Sequence, residues 1–103
     1  METVTLIGAI EPLLSGKTVN VKPVGNSMTP LVVSKEVVIV APVEENTELS
    51  KGDIVLVKVK KKVYLHLIKK VAHHQYQIGS NKGRINGWVA REAIYGKMVG
   101  RPA

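Results

Sequence analysis

With 103 residues the chain has room for one domain with a single modest core, spanning 1–103. Its 45% apolar and 22% charged content excludes a disordered chain, and zero cysteines exclude disulfides, thiol catalysis and thiolate metal sites. The net charge of +7 leaves attraction to acidic partners open.

The first apolar run, Leu6 to Leu14, reads as a short helix that Pro12 keeps from growing long. Glu11 and Pro12 also interrupt that run, and the start lacks basic residues, so no secretory signal is expected. The longest later stretches, around Val37–Ala41 and Asp53–Val57, are strand-sized, so no membrane anchor is expected and the cytoplasm is the expected location. Valine-rich alternation predicts strands at Thr18–Val24, Glu36–Ala41, Asp53–Lys60, Val63–Val71, Gln75–Ile78 and Ile94–Val99. Lys60–Lys62 reads as a hairpin turn without glycine, and Ser50–Gly52 and Gly79–Gly87 read as loops. Many short strands joined by turns predict an all-β fold, a compact sheet or partly open barrel with at most one short helix.

Gly25-Asn26-Ser27-Met28-Thr29-Pro30 places a serine at a glycine-entered bend, where its hydroxyl can stand clear as a nucleophile. The same residue types also make ordinary turns. A serine needs a base, and the chain offers His66, His73 and His74 beside many lysines. His66 interrupts an apolar strand in which alternation puts Tyr64, His66 and Ile68 on one face and Val63, Leu65 and Leu67 on the other. In that setting a histidine is either a hydrogen-bonded structural residue or a catalyst. His73 and His74, adjacent in the chain, point apart if extended, so a shared metal is not expected. Lys58, Lys60, Lys61 and Lys62, with Lys69 and Lys70 close behind, form either a phosphate-binding hairpin or a solvated one whose charges discourage aggregation. One tryptophan and three tyrosines give few platforms for stacking bases.

Four blocks in order resemble the signal peptidase I and LexA-like serine peptidases. Ser27-Met28-Thr29-Pro30 is similar to their Ser-Met-x-Pro nucleophile turn, running on into Lys35–Val40. Gly52-Asp53-Ile54-Val55 is similar to their Gly-Asp-x-Val strand. Tyr64–Val71 stands where they carry the strand with the general base. Ile78-Gly79-Ser80-Asn81, then Gly87-Trp88-Val89 and Ile94-Tyr95-Gly96-Lys97, resembles their closing block. The resemblance covers about residues 18 to 99 and implies coiled sheets in a partly open barrel. It implies Ser27 as nucleophile and, counting from Gly52, His66 as base. Lys69 is the rival, but three residues on it points to the opposite strand face. Gly25, Asn26, Met28 and Pro30 are the implied substrate-binding residues, and the Ser27 N–H is the implied oxyanion donor.

Two positions depart from the family pattern. Ser80 fills the place of the acid that orients the histidine ring, leaving Ser80 or Asn81 as expected imidazole partners. Gly25 stands where many relatives carry an oxyanion-binding hydroxyl. The resemblance implies a soluble serine endopeptidase that cuts next to small residues in a precursor or leader peptide, with no cofactor or metal. The peptide is expected to lie extended beside Thr18–Val24 and Gly52–Val57. Self-cleavage is not expected, since the segment ahead of Ser27 is short and offers Gly8-Ala9 as its one pair of glycine with alanine. The alternative is an inactive module of the same fold, whose Lys58–Lys62 hairpin holds an acidic protein or nucleic acid.

Overall fold

Valine-rich alternation becomes strand almost wherever it occurs. In the computed structural model, which describes residues 2–103, the strands are β1 (Thr3–Val4), β2 (Val19–Val21), β3 (Val38–Pro42), β4 (Ile54–Val59), β5 (Lys62–Ala72), β6 (Gln75–Gly79), β7 (Ile85–Ala90) and β8 (Ile94–Gly100). A 3₁₀ turn at Ile7–Ala9 runs into the short helix α1, Ile10–Leu14, and a second 3₁₀ turn covers Arg91–Ala93. Pro12 sits in the first turn of α1, where no N–H is owed to the ladder, so it does not break the helix.

The strands form one sheet in the order β1-β2-β3-β8-β4-β5-β6-β7. Every pairing is antiparallel except β1 with β2. The chain is thus mainly β with one short helix, as expected, and its sheet has two ends rather than a closed seam.

Alternation sends neighbouring side chains into two cores. Val55, Val57 and Val59 of β4 join Ile68, Ile78, Val89 and Ile94. Leu56, between them in sequence, turns to the other core with Leu65, Leu67, Val21, Val38 and Val40, capped by Leu13 of α1. Both faces of the central strands are covered, and each fully buried Val or Leu contributes about 1.5–3 kcal/mol.

Three elements differ from expectation. Gly79–Gly87 is not all loop: β7 begins at Ile85, its turn-like Asn86-Gly87 pair lying inside a bulged strand. Strand β2 stops at Val21, short of Pro23, which has no N–H to give a ladder. The β4–β5 turn is Lys60-Lys61 alone, since Lys62 already pairs with Val59.

Both two-residue hairpin turns in this half of the sheet are built from side-chain-bearing residues at positive φ. Lys60 and Lys61 have φ of 49° and 73°, and His73 and His74 have 51° and 62°. Such turns match the twist of the strands, but they favour Asn-Gly. Left-handed backbone costs an ordinary residue about 1–2 kcal/mol. Replacing Lys60-Lys61 by Asn-Gly is therefore expected to raise unfolding stability by about 1–2 kcal/mol, read as a higher urea midpoint with an unchanged slope.

Candidate active site

The serine lies in the loop 22–37 between β2 and β3, which closes on itself. Lys35 N–H donates to the Pro23 carbonyl at 2.7 Å, and Gly25 N–H donates to Ser34 Oγ at 3.0 Å. Gly25 has a φ of +115°, a conformation that side-chain-bearing residues rarely adopt, although nothing stands within 4 Å of where a Cβ would be. Backbone shape, not space, asks for glycine there. Beyond it Thr29 folds back, its N–H and hydroxyl both donating to the Asn26 carbonyl. Met28 and Val32 are 4% and 2% exposed and pin the bend into the core, while Ser27 between turn and solvent stays exposed.

The loop after β6 grips this bend from the other side. Asn81 N–H donates to the Ser27 carbonyl at 2.9 Å, and Asn81 Nδ2 donates to the Thr29 carbonyl at 2.8 Å. The Ser27 turn is therefore held at three points, by its own loop, by the core and by Asn81.

His66 sits in the middle of β5 opposite Val55, and it is 5% exposed. Its Nε2 is 3.0 Å from Ser27 Oγ and its Nδ1 is 2.7 Å from Asn86 Oδ1. The Tyr64 ring stacks on the imidazole, with centroids 4.6 Å apart. An amide oxygen can only accept, so Nδ1 must carry the proton and donate to Asn86. Nε2 is then the bare nitrogen that accepts from the Ser27 hydroxyl. The arrangement fixes the tautomer a general base needs.

Asn86 reaches the ring because of a bulge. Ile78 pairs with Gly87 and Gly79 pairs with Ile85, so Asn86 is the extra residue of β7, freed from regular alternation. Sequence reasoning assigned the ring to Ser80 or Asn81, and the structure gives both other partners. Ser80 Oγ accepts from the N–H groups of Lys82 and Arg84, at 3.2 and 3.1 Å. Asn81 is spent on the serine turn. The one sequence signal for Asn86 was its neighbour Gly87, since a lone glycine within a strand often marks a bulge.

The remaining candidates separate. Lys69 is the extra residue of a bulge in β5, between Ile68 and Lys70, and its stem lies over Gly79. His66, not Lys69, occupies the seat opposite Ser27. Gly25 and Met28 line a small hollow beside the serine, whereas Asn26 and Pro30 are exposed and line neither hollow that contains Ser27. Gly25 N–H is already bonded to Ser34, but the Ser27 N–H donates to no acceptor among the described residues.

Both sides of β4 are paired, by β5 and β8, so a peptide cannot add there as expected. The open edge belongs to β5 ahead of Leu67, where pairing with β6 has not begun. Val63, Tyr64 and Leu65 on that edge face Pro23, Val24 and Gly25 across the first hollow, of about 130 Å³, whose apolar wall includes Leu6 and Val32. The second hollow, of about 410 Å³, lies on the Asn86 side of Ser27 and His66.

A family model described as Peptidase S24-like matches residues 8–99. The chain belongs to the peptidase S24-like family. No curated protein matches it. The S24-like match spans the Ser27 turn, the His66 strand and the Asn86 bulge, so all three lie within the family's peptidase-type fold. Among the described residues of this S24-like chain, no helix is long and apolar enough to cross a membrane.

The His66 pKa lies below its ordinary value of 6.5. Burial disfavours the charged ring, the hydrogen bond to Asn86 works in the opposite direction, and the nearby Arg84 charge lowers it further. The ring is thus neutral at pH 7. Because the folded pKa is the lower one, the unfolded chain binds the proton more readily. Stability from the buried neutral ring is complete above 6.5 and is lost as pH falls past 6.5 toward the folded value. An NMR titration of the His66 ring is expected to show a midpoint below 6.5, and Asn86→Asp, which sets an anion against Nδ1–H, is expected to move it upward.

Proposed function

We propose that this chain is a serine endopeptidase in which Ser27 is the nucleophile, His66 the general base and Asn86 the residue that orients the ring. One observation carries the reading: Ser27 Oγ, His66 Nε2, His66 Nδ1 and Asn86 Oδ1 form an unbroken hydrogen-bond series, at 3.0 Å and 2.7 Å. Membership of the S24-like family supports a peptidase-type fold around it.

Nε2 takes the hydroxyl proton as Oγ attacks the peptide carbonyl, and it returns that proton to the leaving amine. The developing oxyanion meets the free Ser27 N–H. Water then releases the acyl group from Oγ with the same ring as base. Asn86 holds the tautomer through both steps, though its neutral amide steadies the imidazolium less than a carboxylate would. Tyr64 covers one face of the ring against water.

The peptide would extend along the open edge of β5 at Val63–Leu65, opposite Pro23–Gly25, gaining backbone hydrogen bonds from an unpaired strand. The apolar hollow beside Ser27 suits a small aliphatic side chain next to the cut. A precursor or leader segment fits this description.

The uncharged Asn86 favours a second reading, an idle member of the fold that binds a peptide without cutting it. Labelling with a fluorophosphonate separates the two. The wild-type chain is expected to label, Ser27→Ala to lose labelling entirely, and His66→Ala to slow it by about 10²- to 10⁴-fold. Labelling that survives Ser27→Ala would remove Ser27 as nucleophile, and a folded wild-type chain that never labels would favour the idle module. The labelling rate is also expected to hold below pH 6.5 and to fail at lower pH, where His66 takes up its proton.

A further inference from the structure

The hollow on the Asn86 side of the dyad has cationic side chains in its wall, which the first hollow lacks. Its wall joins Ser27, His66 and Asn86 to three cations, Lys62, Lys82 and Arg84. Among the described residues, no carboxylate forms an ion pair with them. The chain has no Asp or Glu from Ile54 to Arg91, and the ion pairs of the described residues are made by Lys97 and Arg101. Three uncompensated cations around a cavity of about 410 Å³ make a site for an anion.

The site is also built rather than incidental. Ser80 is 2% exposed, and its hydroxyl accepts both the Lys82 and the Arg84 N–H, while its own N–H donates to the Arg84 carbonyl at 2.8 Å. A Cβ on Gly79 would lie 2.5 Å from that carbonyl, so glycine lets the loop fold back onto β6. The roots of Lys82 and Arg84 are thereby fixed, which lowers the ordering cost of a ligand bound through their side chains. Lys62 enters from β5, immediately after the Lys60-Lys61 turn.

We propose that Arg84, Lys82 and Lys62 bind a carboxylate of the peptide held at Ser27, either an Asp or Glu side chain beside the cut or a free chain end. The proposal rests on the peptidase reading for the nature of that chain. A nucleic acid fits the site less well: Tyr64, the one tyrosine in a wall without tryptophan or phenylalanine, already gives one face to His66, which leaves at most a single platform for a base. A bound carboxylate would also offset the Arg84 charge that His66 feels, supplying an anion near a ring whose own partner is neutral.

The test measures binding without turnover. Ser27→Ala protein is titrated against three fluorescein-labelled, alanine-rich octapeptides, followed by anisotropy at low ionic strength. One carries a central Glu and an amidated end, the second a Gln and an amidated end, the third a Gln and a free end. The Glu peptide is expected to bind about tenfold tighter than its Gln twin, the scale of a charge-assisted hydrogen bond. The advantage is expected to vanish in Lys62→Gln/Lys82→Gln/Arg84→Gln and to shrink with added salt. Tighter binding of the free-end peptide instead would also support the proposal and name the chain end as the source. Three peptides bound equally, or not at all, would overturn it, as would a preference that survives the triple substitution. A labelled single-stranded DNA that binds through the same three residues, with no preference among peptides, would overturn it in favour of nucleic acid. Fluorophosphonate labelling of the unsubstituted chain reports on the peptidase reading separately, so a labelled enzyme with no carboxylate preference would sink this inference alone.

Discussion

A buried imidazole must find partners for both of its nitrogens, and that requirement organises the whole site. His66 is set in the middle of the longest strand, with cores on both sides of the sheet and little water to serve it. One nitrogen must donate and the other accept, because a neutral ring has one of each. Asn86 Oδ1 takes the donor and Ser27 Oγ supplies the proton for the acceptor. The fold brings these partners from opposite directions, the first from a bulged strand two places along the sheet, the second from the loop ahead of β3. Losing either would leave a polar atom unpaired in a place where that typically costs about 1–3 kcal/mol.

The parts of the fold set by period-two patterning were legible in the residues themselves. Strands β4 and β5 followed from alternating apolar positions, and so did the face on which His66 stands. The serine turn was legible through its glycine and proline. Its resemblance to a known family placed the histidine in register. The features that the residues do not disclose are breaks in that regular pattern. Asn86 faces the ring only because one extra residue interrupts the ladder of β7, and no local composition separates such a bulge from a loop. Ser80 read as a ring partner because of where it falls in the closing block, but a hydroxyl two and four residues from free N–H groups finds them first. The Lys60-Lys61 turn was placed within a residue, although its left-handed backbone is a cost that composition would argue against.

The surroundings of the His66 ring are electrically unusual. Its Nδ1 partner is neutral, Arg84 sets a positive charge nearby, and burial adds to the bias against the protonated ring. Burial and the Arg84 charge keep His66 neutral at ordinary pH, against the hydrogen bond to Asn86, which favours the charged ring. The same factors leave the imidazolium less comfortable once it forms. A group poised in this way trades driving force in the proton-accepting step for a fully populated basic form.

Asn81 joins two parts of the site. Its backbone and its side chain clasp the serine bend, while its neighbours on either side, Ser80 and Lys82, belong to the loop that presents cations to the second hollow. The clasp works as a short mechanical linkage. A displacement of the 80–84 segment reaches the Ser27 carbonyl through this single residue, so the loop bearing Lys82 and Arg84 and the bend bearing the hydroxyl share one clasp.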